Sequence, residues 1–444
     1  MTTDAIADAN ASDNVNPHYL GHVVKASQSH AIGTSEDVVS ASGVKLLARG
    51  ARIDAGVRER LLAHKLRRPL EQSVGMDDDA ITARLAPTVQ TLLDKHALLR
   101  ALCADGPASD VPAAIAAVTL APQPRALLAI YTQLHEDRLE HAVGVAMLAV
   151  SLGRRLQASN AETGRVLATA GLLHDVGELY IDPEYLRRGA RLTIEQWRHI
   201  VVHPLVGHRV LRDMAGAGSA VADAVLLHHE RLDGFGYPRG VAGEAFTRNG
   251  QILAVAEWLM AIIESGASPL TRARMAERLV PGEFSPTLLH AVSAGARAAP
   301  DAPVDLEAAA PLEQAAQRIE HLIGVLERFR QARGWIDARI AQADGELRRV
   351  LDIGLRRMLV IQASFSSAGL DAQAPAPLLA ELAALRDPSV YTETVTLVEE
   401  LEWRIREVAR QQRLRGGLLP PAEAAVVAEW IDRVQPASLA GRGA

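Results

Sequence analysis

Histidine is unevenly distributed along this chain. Eight of its 15 histidines lie between His135 and His229, and the other seven (His18, His22, His30, His64, His96, His290 and His321) stand singly. Spacing inside the dense segment points to chemistry. Asp137 and His141 are four apart in EDRLEHAV, which on a helix puts both on one face. His174 and Asp175 are adjacent in GLLHDVGELY, offering two ligands to one metal or one to each of two. His203 precedes Pro204, a residue that suits the first turn of a helix. His228 and His229 form a second doublet in LLHHERLDG. Glu257 interrupts the apolar run ILAVAEWL, where a carboxylate needs a partner.

Imidazoles and carboxylates without thiolates suit first-row divalent ions such as Fe, Mn, Zn, Ni or Co. These donors outnumber what one ion needs, and two ions sharing a bridging carboxylate is the simplest arrangement. Such pairs sit about 3.5–4 Å apart and activate water for in-line attack at phosphorus. A single histidine on a helix is more often structural, which is the reading for His135, His199 and His208. His18, His22 and His30 read as surface residues. HExxH, GxxxxGK[ST] and GxSxG are absent, which removes zincin, P-loop and α/β-hydrolase chemistry.

The elements that must carry these residues are helical. Across 444 residues, 48% are apolar and only 4% aromatic, with Ala and Leu dominant. The formal charge of −6 gives no global attraction to nucleic acid polymers or anionic lipid. The one cysteine, Cys103, rules out an internal disulfide and a thiolate zinc site, and fits a reducing cytoplasm. The N-terminus lacks the features of a signal peptide, and the apolar run AVGVAMLAVSLG is too short for a membrane span. The fold class expected is mainly α. Residues 1–16 read as a disordered tail and 17–75 as a small α+β module. In that module HVVKAS and EDVVSASGVKLLARGARI read as short strands, and Asp54 as the N-cap of a helix. A helical connector covers 76–121, an all-helical domain 122–298 and a Pro/Asp linker 299–311. A C-terminal helical region covers 312–436, its stretches expected at about 335–363, 376–386, 391–413 and 421–434. In that region Leu312, Ile319, Leu322, Ile323, Leu326 and Phe329 mark an amphipathic helix, suited to homodimerisation or a signalling partner.

HDVGELYIDPEYL, LTIEQWRHIVVHPLVGHRVL and LLHHERLDGFGYPRG, in this order and spacing, closely resemble the HD-GYP family of metal-dependent phosphohydrolases, over about residues 125–297. The resemblance implies a helical domain that hydrolyses the bacterial second messenger cyclic di-GMP. It implies His141, His174, Asp175, His203, His228, His229 and Glu257 as metal ligands, with Asp175 bridging two ions, iron or manganese first. It also implies Asp137 as an extra ligand, since some members of the family hold a third ion with a carboxylate one turn before the first histidine. Gly236, Tyr237 and Pro238 would form a loop beside the metals. The segment KLLARG…LLAHKLRRPLE resembles one that often precedes such domains, with no chemistry assigned to it. Three positions depart from the family. Glu178 stands where a Lys is frequent, and a Glu there would bind metal or position a water. It is therefore taken with Asp175 as catalytic. Glu257 replaces an Asp. EWLMAIIESGASPLTRAR replaces a segment whose basic residues hold nucleotide phosphates, leaving Arg272 and Arg274 as candidate substitutes. The expected function is a metal-dependent cyclic di-GMP phosphodiesterase. The departures also fit a second function, a non-hydrolysing cyclic di-GMP sensor or partner-binding protein.

Overall fold

Helix Arg138–Arg155 is buried along almost its whole length, from Leu139 to Gly153. Its sequence HAVGVAMLAVSLG is apolar on every face, the pattern of a helix at the centre of a domain rather than at its surface. A computed structural model describes residues 15–156, 160–187, 192–266, 268–279, 281–299, 312–370 and 388–435. Within these the chain divides into two compact units, one of residues up to Ala267 with Gly282–Ala299, the other of Ser268–Pro281 with the chain from Pro300 onward.

In the first unit the helices that matter for chemistry are α1 (Pro17–Ala26), α2 (Pro122–Tyr131), α3 (Arg138–Arg155), α4 (Ala161–Leu173), α5 (His203–Arg212), α6 (Ser219–Leu226) and α7 (Arg248–Ser265). Helices α4 and α7 pack on α3. Val145, Leu148 and Leu152 of α3, Leu167 of α4 and Leu253 and Leu259 of α7 are fully buried. Each such side chain contributes about 1.5–3 kcal/mol. The ends of these helices are fixed locally. Asn160 caps α4 by accepting from the Thr163 amide, and Thr247 caps α7 by accepting from that of Gly250. Thr193 and Gln196 form a reciprocal capping box on the helix Ile194–Val201, which leads into α5.

The N-terminal part of this unit holds four short strands. β1 (Ile32–Thr34) pairs antiparallel with β4 (Val74–Met76), and β2 (Val38–Val39) with β3 (Lys45–Leu47). Asp54 caps the helix Ala55–Leu62, accepting from the Gly56 amide. One expectation fails here. HVVKAS is helical, within α1, not a strand. Asn16 accepts from the amides of His18 and Tyr19 and Pro17 occupies the first turn, so a strong start signal overrides the β-branched pair, and Val23 is buried. Residues 1–14 of the expected tail lie outside the described residues. Val15 is buried and Asn16 donates to the Tyr180 carbonyl, so these two residues are structured.

The second unit contains α8 (Leu312–Gln342), α9 (Gly345–Ser367), α10 (Pro388–Gly416) and α11 (Pro421–Val434). Ile319, Leu322, Leu326 and Phe329 of α8 are buried, and the Phe329 ring meets that of Trp430 at 6.0 Å. Helix α8 runs on through Trp335 to Gln342, and the break falls at Gly345, whose φ is +49°. Ser268–Pro281 cluster with this unit. Residues 300–311 of the expected linker and the expected helix at 376–386 lie outside the described residues. Among the described residues no helix is long and apolar enough to cross a membrane.

Candidate metal centre

Four elements converge on Asp175. Its Oδ1 lies 3.2 Å from His203 Nε2 and 3.4 Å from His228 Nε2. Its Oδ2 lies 3.3 Å from His174 Nε2 and 3.6 Å from His141 Nε2. One carboxylate thus faces two imidazole pairs, one with each oxygen. Donor atoms of Asp175, His203, His228 and His229 lie within 4.8 Å of one another, as do those of His141, His174 and Asp175. Glu257 Oε2 completes the second set, 3.3 Å from both His141 and His174.

Backbone carbonyls set the tautomers. His174 Nδ1 lies 2.8 Å from the Gly171 carbonyl, His203 Nδ1 2.8 Å from that of Ile200, and His228 Nδ1 2.6 Å from that of Val225. A carbonyl only accepts, so each Nδ1 carries a proton, and in the neutral ring each Nε2 then presents a lone pair. His203 and His228 then face each other Nε2 to Nε2 at 3.0 Å, and His141 and His174 at 3.1 Å. Two lone pairs at that distance repel unless a cation lies between them and the nearby carboxylate. The donor set therefore fits divalent metal, and the chemistry of nitrogen and oxygen donors without sulfur fits a first-row ion.

Electrostatics agree. Burial opposes charge on His174, yet Asp175 and Glu257 outweigh it and hold its pKa up to about 10. Burial likewise opposes charge on His141, and Glu257, Glu264 and Asp175 raise it well above the ordinary value. Burial works against ionised Asp175 and Glu257, but the histidines keep both well below the usual carboxylate range, His174 foremost for Asp175 and His141 for Glu257. His228, by contrast, is pushed down to about 4, chiefly by burial. The carboxylates at the centre call for positive charge that the imidazoles supply only in part.

Glu264, at the end of α7, accepts from His141 Nδ1 at 2.8 Å. A carboxylate behind a ligating histidine fixes the ring and raises its basicity. Glu264→Gln should weaken metal binding by about 10–100-fold with little change in thermal unfolding of the metal-free protein. Competition against a fluorescent chelator measures this, and unchanged affinity would remove Glu264 from the centre.

Glu178 follows on a short 3-10 turn, Val176–Tyr180, and is buried. Burial and then Asp175 raise its pKa, and Arg138 Nη2 lies 2.9 Å away. Arg138 also donates to the Tyr131 hydroxyl at 3.0 Å, which in turn donates to Asp175 Oδ2 at 3.1 Å. A guanidinium from the first turn of α3 thus stands beside position 178. Gly177 makes this turn possible, because a Cβ there would stand 2.0 Å from the His203 carbonyl oxygen.

Tyr237 stacks on the His229 ring at 4.6 Å. Its loop is shaped by Glu230, which is fully buried and accepts from the amides of Arg239 (2.7 Å), Gly240 (3.1 Å) and Val241 (3.1 Å). Gly236 passes so close that a Cβ would lie 2.4 Å from the Glu230 Cα, and Pro238 follows Tyr237 through a cis peptide bond. Glu230→Ala leaves three amides without their acceptor and should cost about 3 kcal/mol. Chemical denaturation checks this, and a loss under 1 kcal/mol would mean that the loop does not depend on Glu230.

These groups line a cavity of about 420 Å³, walled by Asp137, Arg138, His141, Asp175, Glu178, Arg187, His203, His229, Tyr237, Glu257 and Glu264 among others. Such a volume suits a small organic ligand. Asp137 stands in the wall, 2.8 Å from His135 Nδ1, outside the two close donor groups. Arg272 falls in the second unit, where its guanidinium meets Glu400 at 3.3 Å. The sequence reading assigned no role to Tyr131, Arg138, Glu230 or Glu264. Only Glu230 had a signal, its place directly after the histidine doublet.

Residues 122–278 match the HD domain family. The complete GYP segment and its loop lie within this match. Among curated proteins, the chain is similar to a cyclic di-GMP phosphodiesterase, PA4108, of Pseudomonas aeruginosa, 34% identical over 152 residues covering 34% of this chain and 36% of that protein. It is also similar to a 3'3'-cGAMP-specific phosphodiesterase of Vibrio cholerae, 33% identical over 28% of this chain and 29% of the relative. A third is the cyclic di-GMP phosphodiesterase response regulator RpfG of Xanthomonas campestris pv. campestris, 32% identical over 29% of this chain and 32% of the relative. The chain spans about a third of the length of these relatives.

Proposed function

We propose that this chain is a metal-dependent phosphodiesterase that opens cyclic di-GMP. The observation that carries the reading is the division of Asp175, one oxygen toward His203 and His228 and the other toward His141 and His174. That division supports two ions, of which iron or manganese are the first candidates for a nitrogen- and oxygen-rich set. When bound, such ions lower the pKa of water and neutralise charge developing on a phosphoryl group.

The chain's own residues do the rest. His174, His203 and His228 arrive with their tautomers fixed by backbone carbonyls, so little reorganisation accompanies binding. Arg138, one-fifth exposed and lining the cavity, offers a guanidinium fork to a phosphate oxygen. Glu178 and Tyr131 hold that guanidinium and orient it. Tyr237, fixed on His229, closes one side of the cavity to water. The relatives' names divide between cyclic di-GMP and 3'3'-cGAMP. Both are cyclic dinucleotides, and the substrate assay includes both.

The test is hydrolysis by the purified full chain loaded with Mn(II) or, anaerobically, Fe(II). Cyclic di-GMP should yield pGpG or GMP, faster than 3'3'-cGAMP yields its linear product. No turnover of either with any first-row metal would overturn the proposal, and faster turnover of 3'3'-cGAMP would reassign the substrate. Cytoplasmic placement goes with this substrate and with a single, buried thiol, Cys103. The C-terminal helices are the proposed surface for self-association or a signalling partner, supported by Trp403, which is half exposed on α10.

A further inference from the structure

The segment KLRRPLE has no part in the metal centre, yet it lines a cavity of its own, about 390 Å³ in volume. The other walls come from Asn16 and Tyr19 of the N-terminal helix region, Tyr180, and Arg209 with Val206 and Val210 of α5. No residue of this wall lines the metal cavity. We propose that this cleft is a second binding site, for a small phosphate-bearing anion.

Charge is the first argument. Lys65, Arg67, Arg68 and Arg209 line the cleft, against one carboxyl group, Glu71. Arg68 is balanced by Glu36 at 3.2 Å. Arg67 and Arg209 stand on different elements, so a ligand between them is met by guanidinium groups from two directions, as the several oxygens of a phosphate require. Burial raises the pKa of Glu71, which lessens its opposition to an anion.

The second argument is a buried donor. Tyr19 is 1% exposed and its hydroxyl has no hydrogen-bond partner. A buried O–H without an acceptor costs about 1–3 kcal/mol. Tyr19 lines the cleft, and its ring stacks on that of Tyr180 at 4.9 Å with 2° between the planes, which holds the ring in place. A phosphate oxygen entering the cleft would accept from it.

The third argument is rigidity. The basic segment is pinned to β2, since the Ala41 amide donates to the Lys65 carbonyl at 2.8 Å and the Arg67 amide to that of Val39 at 2.9 Å. Asn16 caps α1 and also donates to the Tyr180 carbonyl at 3.3 Å. The cationic side chains therefore project from fixed backbone.

Calorimetric titration of the full chain with inorganic phosphate and with GMP tests this. Phosphate also suits the metal centre, so wild type is compared with Asp175→Asn, and one binding event should survive in that variant with affinity within twofold. Arg67→Glu/Arg209→Glu, both exposed positions whose folding circular dichroism can check, should weaken the surviving event at least tenfold. Tyr19→Phe should weaken it at least threefold. GMP binding more tightly than phosphate would mark a nucleotide as the ligand, and equal binding would mark the phosphate group as the whole determinant. Loss of all binding in Asp175→Asn, or unchanged affinity in either cleft variant, would overturn the proposal.

Discussion

Asp175→Asn should leave the purified protein with far less first-row metal and cut cyclic di-GMP hydrolysis by more than about 100-fold. The substitution keeps size and shape and removes only the charge and one acceptor oxygen. Asp175 is the one side chain shared by both imidazole sets, so its loss affects both sites together. Substituting His141 or His203 removes a donor from one set only. Inductively coupled plasma analysis beside a hydrolysis assay measures the effect. Full metal content in Asp175→Asn would show that each imidazole set holds its ion without a bridge.

Gly177→Ala should be the second most damaging change, although it removes no polar group. The added methyl would stand 2.0 Å from the His203 carbonyl oxygen and 2.9 Å from the Gly207 amide nitrogen, both backbone atoms. Neither can rotate away as a side chain does. The 3-10 turn carrying Glu178 must then separate from the start of α5, and His203 moves with it. Overpacking of this kind costs about 3 kcal/mol, equivalent to a fall in Tm of about 6–12 °C for a domain of this size. Metal affinity should fall as well. A variant that unfolds at the wild-type temperature and binds metal normally would show that the turn and helix separate at no cost.

Much of the metal centre was legible in the sequence. His174 next to Asp175 and His228 next to His229 are local features, and Pro204 marked the helix start that places His203. The layer behind them was not legible, because it is made by residues far apart in the chain. Glu264 reaches His141 across 123 positions, and Tyr131 reaches Asp175 across 44. Arg138 was passed over because it reads as an ordinary charged residue in a first helical turn. Its place beside Glu178 changes the meaning of that position. A glutamate where a lysine was expected looked like a missing cation, whereas in the folded chain it holds one.

One reading failed for a local reason. HVVKAS reads as a strand by composition, but Asn16 and Pro17 start a helix ahead of it. The start signal lies just outside the segment whose composition suggests a strand, and it outranks the β-branched pair.

The most direct test couples metal content to product in one preparation of the wild-type chain. Protein purified with Mn(II) or Fe(II) should carry two ions per chain and convert cyclic di-GMP to pGpG or GMP, and chelation should abolish the conversion. Protein that retains no first-row metal, or that holds two ions and leaves every cyclic dinucleotide intact, would contradict the account.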